Sequence, residues 1–326
     1  LVSSGGEEMS VGRGQSLRLR GPLAVWRDMS KPARREAIEG YLCILPWLIG
    51  FITFVAGPII ASFLISFTRW DAVNPPQWVG LDNYVEIFTD DADFRQALKV
   101  TVTYAAFSLP LQLVLGLGIS LLLNMRLRGM NIYRTLFYIP AVMSGVAVTL
   151  LWVWIFNPQF GIINYLLSLV GIEGPRWLQS PKWALPALII MSTWGVGGSA
   201  VIYLAGLQNI PPHLYEAAEI DGANAWQRFW RITLPMLTPT IFFQLVLGLI
   251  GTFQTFTESY VATGGGPRKS TLFYMLYLYT KAFRSLSMGY GSALAWILAL
   301  IILIITVLIF KSSPMWVYYE AERKQR

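Results

Sequence analysis

Residues 211–235 read PPHLYEAAEIDGANAWQRFWRITLP, a long polar stretch set between two strongly apolar ones. Proline's fixed φ and missing N–H suit the first turn of a helix, so Pro211 and Pro212 open one that runs over 214–221. Gly222 then supplies a turn without a Cβ penalty. A second amphipathic helix follows, with Trp226, Phe229 and Trp230 at helical spacing, and Pro235 is expected to stop it. The stretch predicts a helix-turn-helix lying at a membrane surface between two spans.

Outward from it the chain is greasy. Of 326 residues, 55% are hydrophobic and 13% charged, with a mean hydropathy of +0.51. That is too apolar for an ordinary soluble domain. The expected fold is an all-α integral membrane protein with six transmembrane helices at 41–68, 98–124, 135–156, 183–207, 238–261 and 288–310. Pro46 and Pro58 are expected to kink the first span. Gly195, Gly197, Gly198 and Ser199 give the fourth the small residues that let helices pack closely in lipid. Flanking the six-helix domain at 41–311 are a basic tail, 1–40, and a short tail, 312–326. A short interfacial helix is expected at 162–170, and an amphipathic outer piece at 271–283.

Charge sets the orientation. With both termini on one side, the inner segments hold sixteen of the 25 Lys/Arg, which places the termini and 211–235 in the cytoplasm. Arg268, Lys269, Lys281 and Arg284 oppose this rule in the last outer loop, and are read as headgroup or partner contacts. The basic residues sit at the ends of apolar segments, so the partner is membrane lipid and not nucleic acid. The N-terminal region lacks the short charged stretch and the small-residue cleavage site of a secretory signal.

The chemistry that is missing narrows the function. Cys43 and His213 are single, which excludes an internal disulfide and a Cys/His metal cluster. No GxxxxGK[ST] loop is present, and GGGP at 264–267 lacks the lysine, so nucleotide hydrolysis falls to another chain and no cofactor is expected on this one. Glu258 is the one ionisable residue well inside an expected span, which leaves an ion-coupled carrier or a channel as the alternative. No paired-carboxylate or Ser/His constellation suggests an enzyme.

Glu216-Ala217-Ala218, Gly222, Ile232 and Leu234-Pro235 resemble, at fixed spacing, the EAA loop of membrane-spanning subunits of binding-protein-dependent ABC importers. RREAIEGYLCILPWLIGF, WVGLDNYVEIF, TGGGP at 263–267 and the string from Ala282 to Ala293 are similar to carbohydrate permeases of the maltose and glycerol-phosphate type. The resemblance implies a type I importer fold in a bacterial or archaeal cell membrane, with 211–235 as the cytoplasmic coupling helix. It also implies a second permease subunit, two ATPase subunits that bind ATP and Mg, an external solute-binding protein, and a sugar or oligosaccharide cargo. The chain is too short for the extra helices and large external domain of the maltose member.

The same resemblance puts the substrate pathway near Ser192, Trp194, Gly195, Ser199, Thr252 and Thr255, although none carries the family's asparagine or tyrosine. From spacing alone, Gln244, Gly248, Thr252, Thr255 and Ser259 recur at three- and four-residue steps. They are expected to share one face of the fifth span. Packing against a helix and contact with cargo remain equal alternatives for the four with side chains.

Overall fold

The computed structural model describes residues 30–125 and 127–318. Most of the expected N-terminal tail, Arg126, and the C-terminal Arg323, Lys324 and Arg326 lie outside the described residues. Within them the chain is helical apart from a two-residue antiparallel pairing of Thr68–Arg69 with Gln77–Trp78. Four helices are long and apolar enough to cross a membrane, or six if each of two bent pairs counts as one span. The chain divides into two units after Ala61.

The first apolar helix, Lys31–Ile65, starts inside the stretch assigned to the basic tail rather than at residue 41. Ser30 caps it, accepting from the Ala33 N–H, with proline in the first turn. Pro46 lies within the helix, and a π turn at Ile52–Ala56 precedes Pro58. Widening the turn is the usual way for a helix to absorb a proline's missing donor and ring clash.

The second span, Ala92–Leu123, begins earlier than the expected residue 98 because Asp91 caps it. Its Oδ1 accepts from the Asp93 and Phe94 N–H groups, both at 2.9 Å. Its Oδ2 accepts from the Tyr277 and Tyr290 hydroxyls. One carboxylate thus ties the start of the second span to the short helix Tyr274–Tyr279 and to the sixth span. Burial raises the Asp91 pKa, but the two hydroxyls, the Phe94 N–H and the Lys281 charge outweigh it and hold the group below its ordinary value.

The expected third and fourth spans are each broken. Met130–Val142 and Gly145–Ile155 meet at 97°, where Met143 is extended and the poor helix formers Ser144 and Gly145 follow. Ala184–Gly195 and Gly197–Gln208 meet at 47° across the tight turn Thr193–Gly195. A Cβ on Gly197 would lie 1.8 Å from the Phe137 carbonyl oxygen, and one on Gly198 would lie 3.4 Å from the Ala141 methyl. Those two glycines pack the halves of the broken spans together. Gly195 does not, since nothing stands within 4 Å of its Cβ position.

Pro235 does not end a helix. The apolar helix Ala225–Ala262 runs through it, because the π turn Phe229–Thr233 immediately before it relieves the ring clash. Regular helix is then interrupted at 254–256 and resumes at Thr257–Ala262. The sixth span, Met288–Ser312, continues as a tight turn to Met315, into the stretch assigned to the C-terminal tail. The short helix Ile162–Leu169 lies where expected.

Candidate functional site

The stretch 211–235 folds as two arms. Pro212–Ile220 ends in a Schellman motif, in which the Ala223 N–H donates to the Ala218 carbonyl at 2.9 Å and the Gly222 N–H to the Glu219 carbonyl at 3.0 Å. That geometry puts Gly222 at φ +74°, the left-handed region glycine enters freely. Asn224 and Gln227 then form a capping box, each side chain accepting from the other's backbone at 2.9 Å, and start the second arm. Tyr215 bonds Thr233 at 2.9 Å and Glu219 pairs with Arg228, so the arms are braced at two points.

This bracing sorts the resemblance residues by exposure. Glu216, Ala217 and Gly222 are exposed, and among the described residues Glu216 has no ion pair. Ala218 is half-buried. Ile232, Leu234 and Pro235 are half-buried too, and Ile232 packs with Leu214 and Tyr215 against Leu207, Ile210 and Leu237. One group faces outward while the other roots the segment in the transmembrane helices. Ile220 is 88% exposed, Trp226 69% and Trp230 50%, an apolar tip that suits a headgroup layer or a protein partner.

A second cluster forms where the helix breaks meet. The Tyr104 hydroxyl on the second span has the Ser192, Thr255 and Ser108 hydroxyls as neighbours, with the Glu258 charge acting on it. Ser192 and Thr255 donate their own hydroxyls to the Ile189 and Gly251 carbonyls. Trp194, in the break of the fourth span, sets its ring edge-on to Trp152 at 5.8 Å. Gly145, which opens the second half of the third span, faces the Thr257 methyl. Irregular backbone at membrane depth is tolerated where protein or a wet cavity covers its polar groups. Here three breaks share one place.

The cluster also carries unspent hydrogen bonds. The Ser108 hydroxyl lies near Tyr104 but makes no bond of good geometry, and the Trp152 indole N–H is buried without a partner. A buried polar group left unpaired costs about 1–3 kcal/mol, so such groups mark where a ligand's hydroxyls would be welcome.

Residues 112–312 match the family profile described as "Binding-protein-dependent transport system inner membrane component". The chain belongs to this family. It is 47% identical to the probable ABC transporter permease protein YesP of Bacillus subtilis, over 90% of this chain and 96% of the relative. It is 35% identical to the trehalose/maltose transport system permease protein MalF of Thermococcus litoralis, over 86% and 96% of the two chains. Among solved structures, a chain of the bacterial alginate ABC transporter in complex with alginate pentasaccharide-bound periplasmic protein superposes with a TM-score of 0.77 at 27% identity, covering 87% and 96%. The six apolar passages are therefore the spans of an ABC permease, a multi-pass membrane subunit.

Within that fold, the residues expected on the substrate pathway separate. Ser192 and Thr255 come together at Tyr104, and Trp194 joins them through Trp152. Gly195 is exposed at the break and bare of neighbours. Ser199 instead lies against Gly116 and bonds its own helix at Val196, 3.1 Å away. Thr252 is buried, with its hydroxyl on the Leu249 carbonyl at 2.9 Å.

The expected face of the fifth span holds as a packed face through Gln244, Gly248 and Thr252 and ends at the break. Gln244 and Thr252 are buried, Leu109 fills the space at Gly248, and Ser259 lies beyond the break with its hydroxyl on the Thr271 carbonyl at 2.5 Å. Tyr104, Ser108 and Trp152 were not legible as site residues. Tyr104 and Ser108 stand four apart on one helix, a weak signal that needed the other spans to give it meaning.

Proposed function

We propose that the chain forms half of the translocation pathway of an ATP-driven carbohydrate importer in a bacterial or archaeal cell membrane. A second permease subunit completes the pore, two ATPase subunits drive it, and an external solute-binding protein delivers the cargo. The segment 211–235 is its coupling element in the cytoplasm: Glu216 and Ala217 meet the ATPase, and Ile232, Leu234 and Pro235 pass the movement into the fifth span. Closure of the ATPase pair rocks the spans, and their breaks are the places where backbone angles change most readily.

The observation that carries the carbohydrate reading is the cluster at Tyr104. Neutral hydroxyls and two tryptophans suit a ring of hydroxyl groups with apolar C–H faces, and the trehalose/maltose name of one relative is in accord. Thr255→Val and Tyr104→Phe each delete one neutral hydrogen bond worth about 1 kcal/mol, so each should slow uptake about five-fold. Thr252→Ser, at a buried position outside the cluster, should leave uptake near wild type. The readout is uptake of radiolabelled trehalose, maltose and alginate oligosaccharide by cells carrying each variant. Equal uptake in all three variants, for every sugar the wild type imports, would move the cargo away from Tyr104.

A further inference from the structure

Four cations of the last outer loop contradict the charge rule that orients the rest of the chain, and three of them line one cavity. It has a volume of about 680 Å³, within the usual range for small-molecule sites, and Lys269, Lys281, Arg284, Tyr260, Tyr277 and Asp93 contribute side chains to it. Its backbone wall is Gly264–Gly266, which directly follows Thr257–Ala262, the helix that bears Glu258 beside the Tyr104 cluster. The cavity therefore stands at the end of the fifth span remote from 211–235.

The cations are held in two different ways. Lys269 is neutralised by Asp93. Arg284 instead lies over the Tyr260 ring, 5.3 Å from its centroid, and donates to the Tyr260 hydroxyl at 3.2 Å. Lys281 lies 5.6 Å from the Tyr277 ring centroid and 5.0 Å from that of Tyr290. Among the described residues neither makes an ion pair. Rings fix a cation in place without cancelling its charge. The Tyr260 ring is itself stacked on Phe256 at 5.2 Å, so the guanidinium is seated on a rigid platform. The other charges near this region are Asp91 and Glu86, on the side of Lys281 and Tyr290, and Glu258 on the helix of Tyr260.

We propose that this cavity is an outer subsite for a saccharide bearing a carboxylate, with Arg284 as the residue that pairs with the acid group and Lys281 as its support. The proposal rests on the carbohydrate reading above and adds the charge class of the cargo. Arginine's planar fork matches a carboxylate in two parallel bonds, which a point charge does not. A lipid phosphate shares part of that chemistry. The wall combines Gly264–Gly266, Thr280 and Ser285, which offer hydrogen bonds to a saccharide's hydroxyls, with Leu272 and Leu276, which suit its apolar C–H faces, so the lipid arm of the test below separates the two sources.

The test uses the transporter purified with its partner subunits in neutral-lipid nanodiscs, titrated with dimannuronate and with its uncharged counterpart mannobiose. Dimannuronate should bind about tenfold tighter at low salt, and the preference should shrink as ionic strength rises. Arg284→Gln should bring the two sugars to near-equal affinity, Lys281→Gln should do so in part, and added phosphatidylglycerol should not displace the sugar. Equal affinities in the wild type, no binding of either sugar, an unchanged preference in Arg284→Gln, or displacement by phosphatidylglycerol would each overturn the subsite. Uptake of neutral sugar by Arg284→Gln cells is read separately: if it persists while the binding test fails, the subsite falls and the importer reading stands.

Discussion

Gly222→Pro is expected to abolish uptake while leaving the chain inserted and folded. Proline is confined near φ −65° and has no N–H, whereas Gly222 sits at φ +74° and donates its N–H to Glu219. The substitution therefore breaks the Schellman motif and redirects the second arm, with Trp226 and Trp230 on it. The turn is exposed, and nothing lies within 4 Å of a Cβ at this position, so damage to the transmembrane core is not expected. Gly222→Ala keeps the N–H and meets no neighbour. It should cost only the about 1–2 kcal/mol of a left-handed residue and leave partial uptake. Glu216→Lys changes no internal contact but reverses the charge offered at the surface, and should be as inactive as the proline variant. Whole-cell uptake, set beside the amount of protein extracted from membranes, checks all three. Normal transport by Gly222→Pro or Glu216→Lys would make this segment an ordinary loop.

Gly197→Ala should instead destroy the core. A methyl there would lie 1.8 Å from the Phe137 oxygen and 2.7 Å from the Phe137 carbonyl carbon, and backbone, unlike a flexible side chain, has no rotamer to give way. The fourth span, at its break, would have to separate from the first half of the third. Overpacking alone costs about 1–3 kcal/mol, and a backbone clash at a helix crossing lies at or above the top of that range. Gly195→Ala, two residues away in open space, is the control and should be mild. Thermal unfolding of the detergent-extracted chain reads the difference. Equal melting temperatures for the two variants would mean that the helices do not cross as described.

Much of this architecture was legible before any coordinates, and the reasons for success and failure are physical. Six apolar runs are a property of composition, which a bilayer reads directly. The turn at Gly222 was legible because a polar segment leaves its helix signals uncovered. Pro235 misled because a proline's effect depends on whether the preceding turn widens, which the proline itself does not encode. The breaks at 143–144 and 193–196 fall at small and hydroxyl residues, Ser144, Gly145, Thr193 and Gly195, which an unbroken span also uses for close packing, so they gave no sign of a change of direction. The face drawn through Gln244, Gly248 and Thr252 holds as a packed one but does not reach Ser259, because three- and four-residue steps hold only while the helix does, and it lapses at 254–256. Tyr104 reached the site from the second span, a contact that no local pattern encodes.

The central claim is that 211–235 is where an ATPase grips this membrane subunit. Ala217 is exposed and small, and Cys43 is the only cysteine, so Ala217→Cys in a Cys43→Ser background gives a single reporter thiol. Cysteine crosslinking in native membranes should join it to an ATP-hydrolysing subunit, with a yield that changes when nucleotide is added, and the thiol should be shielded from impermeant maleimide outside intact cells. Labelling from outside, with no crosslink to any ATPase, would contradict the account.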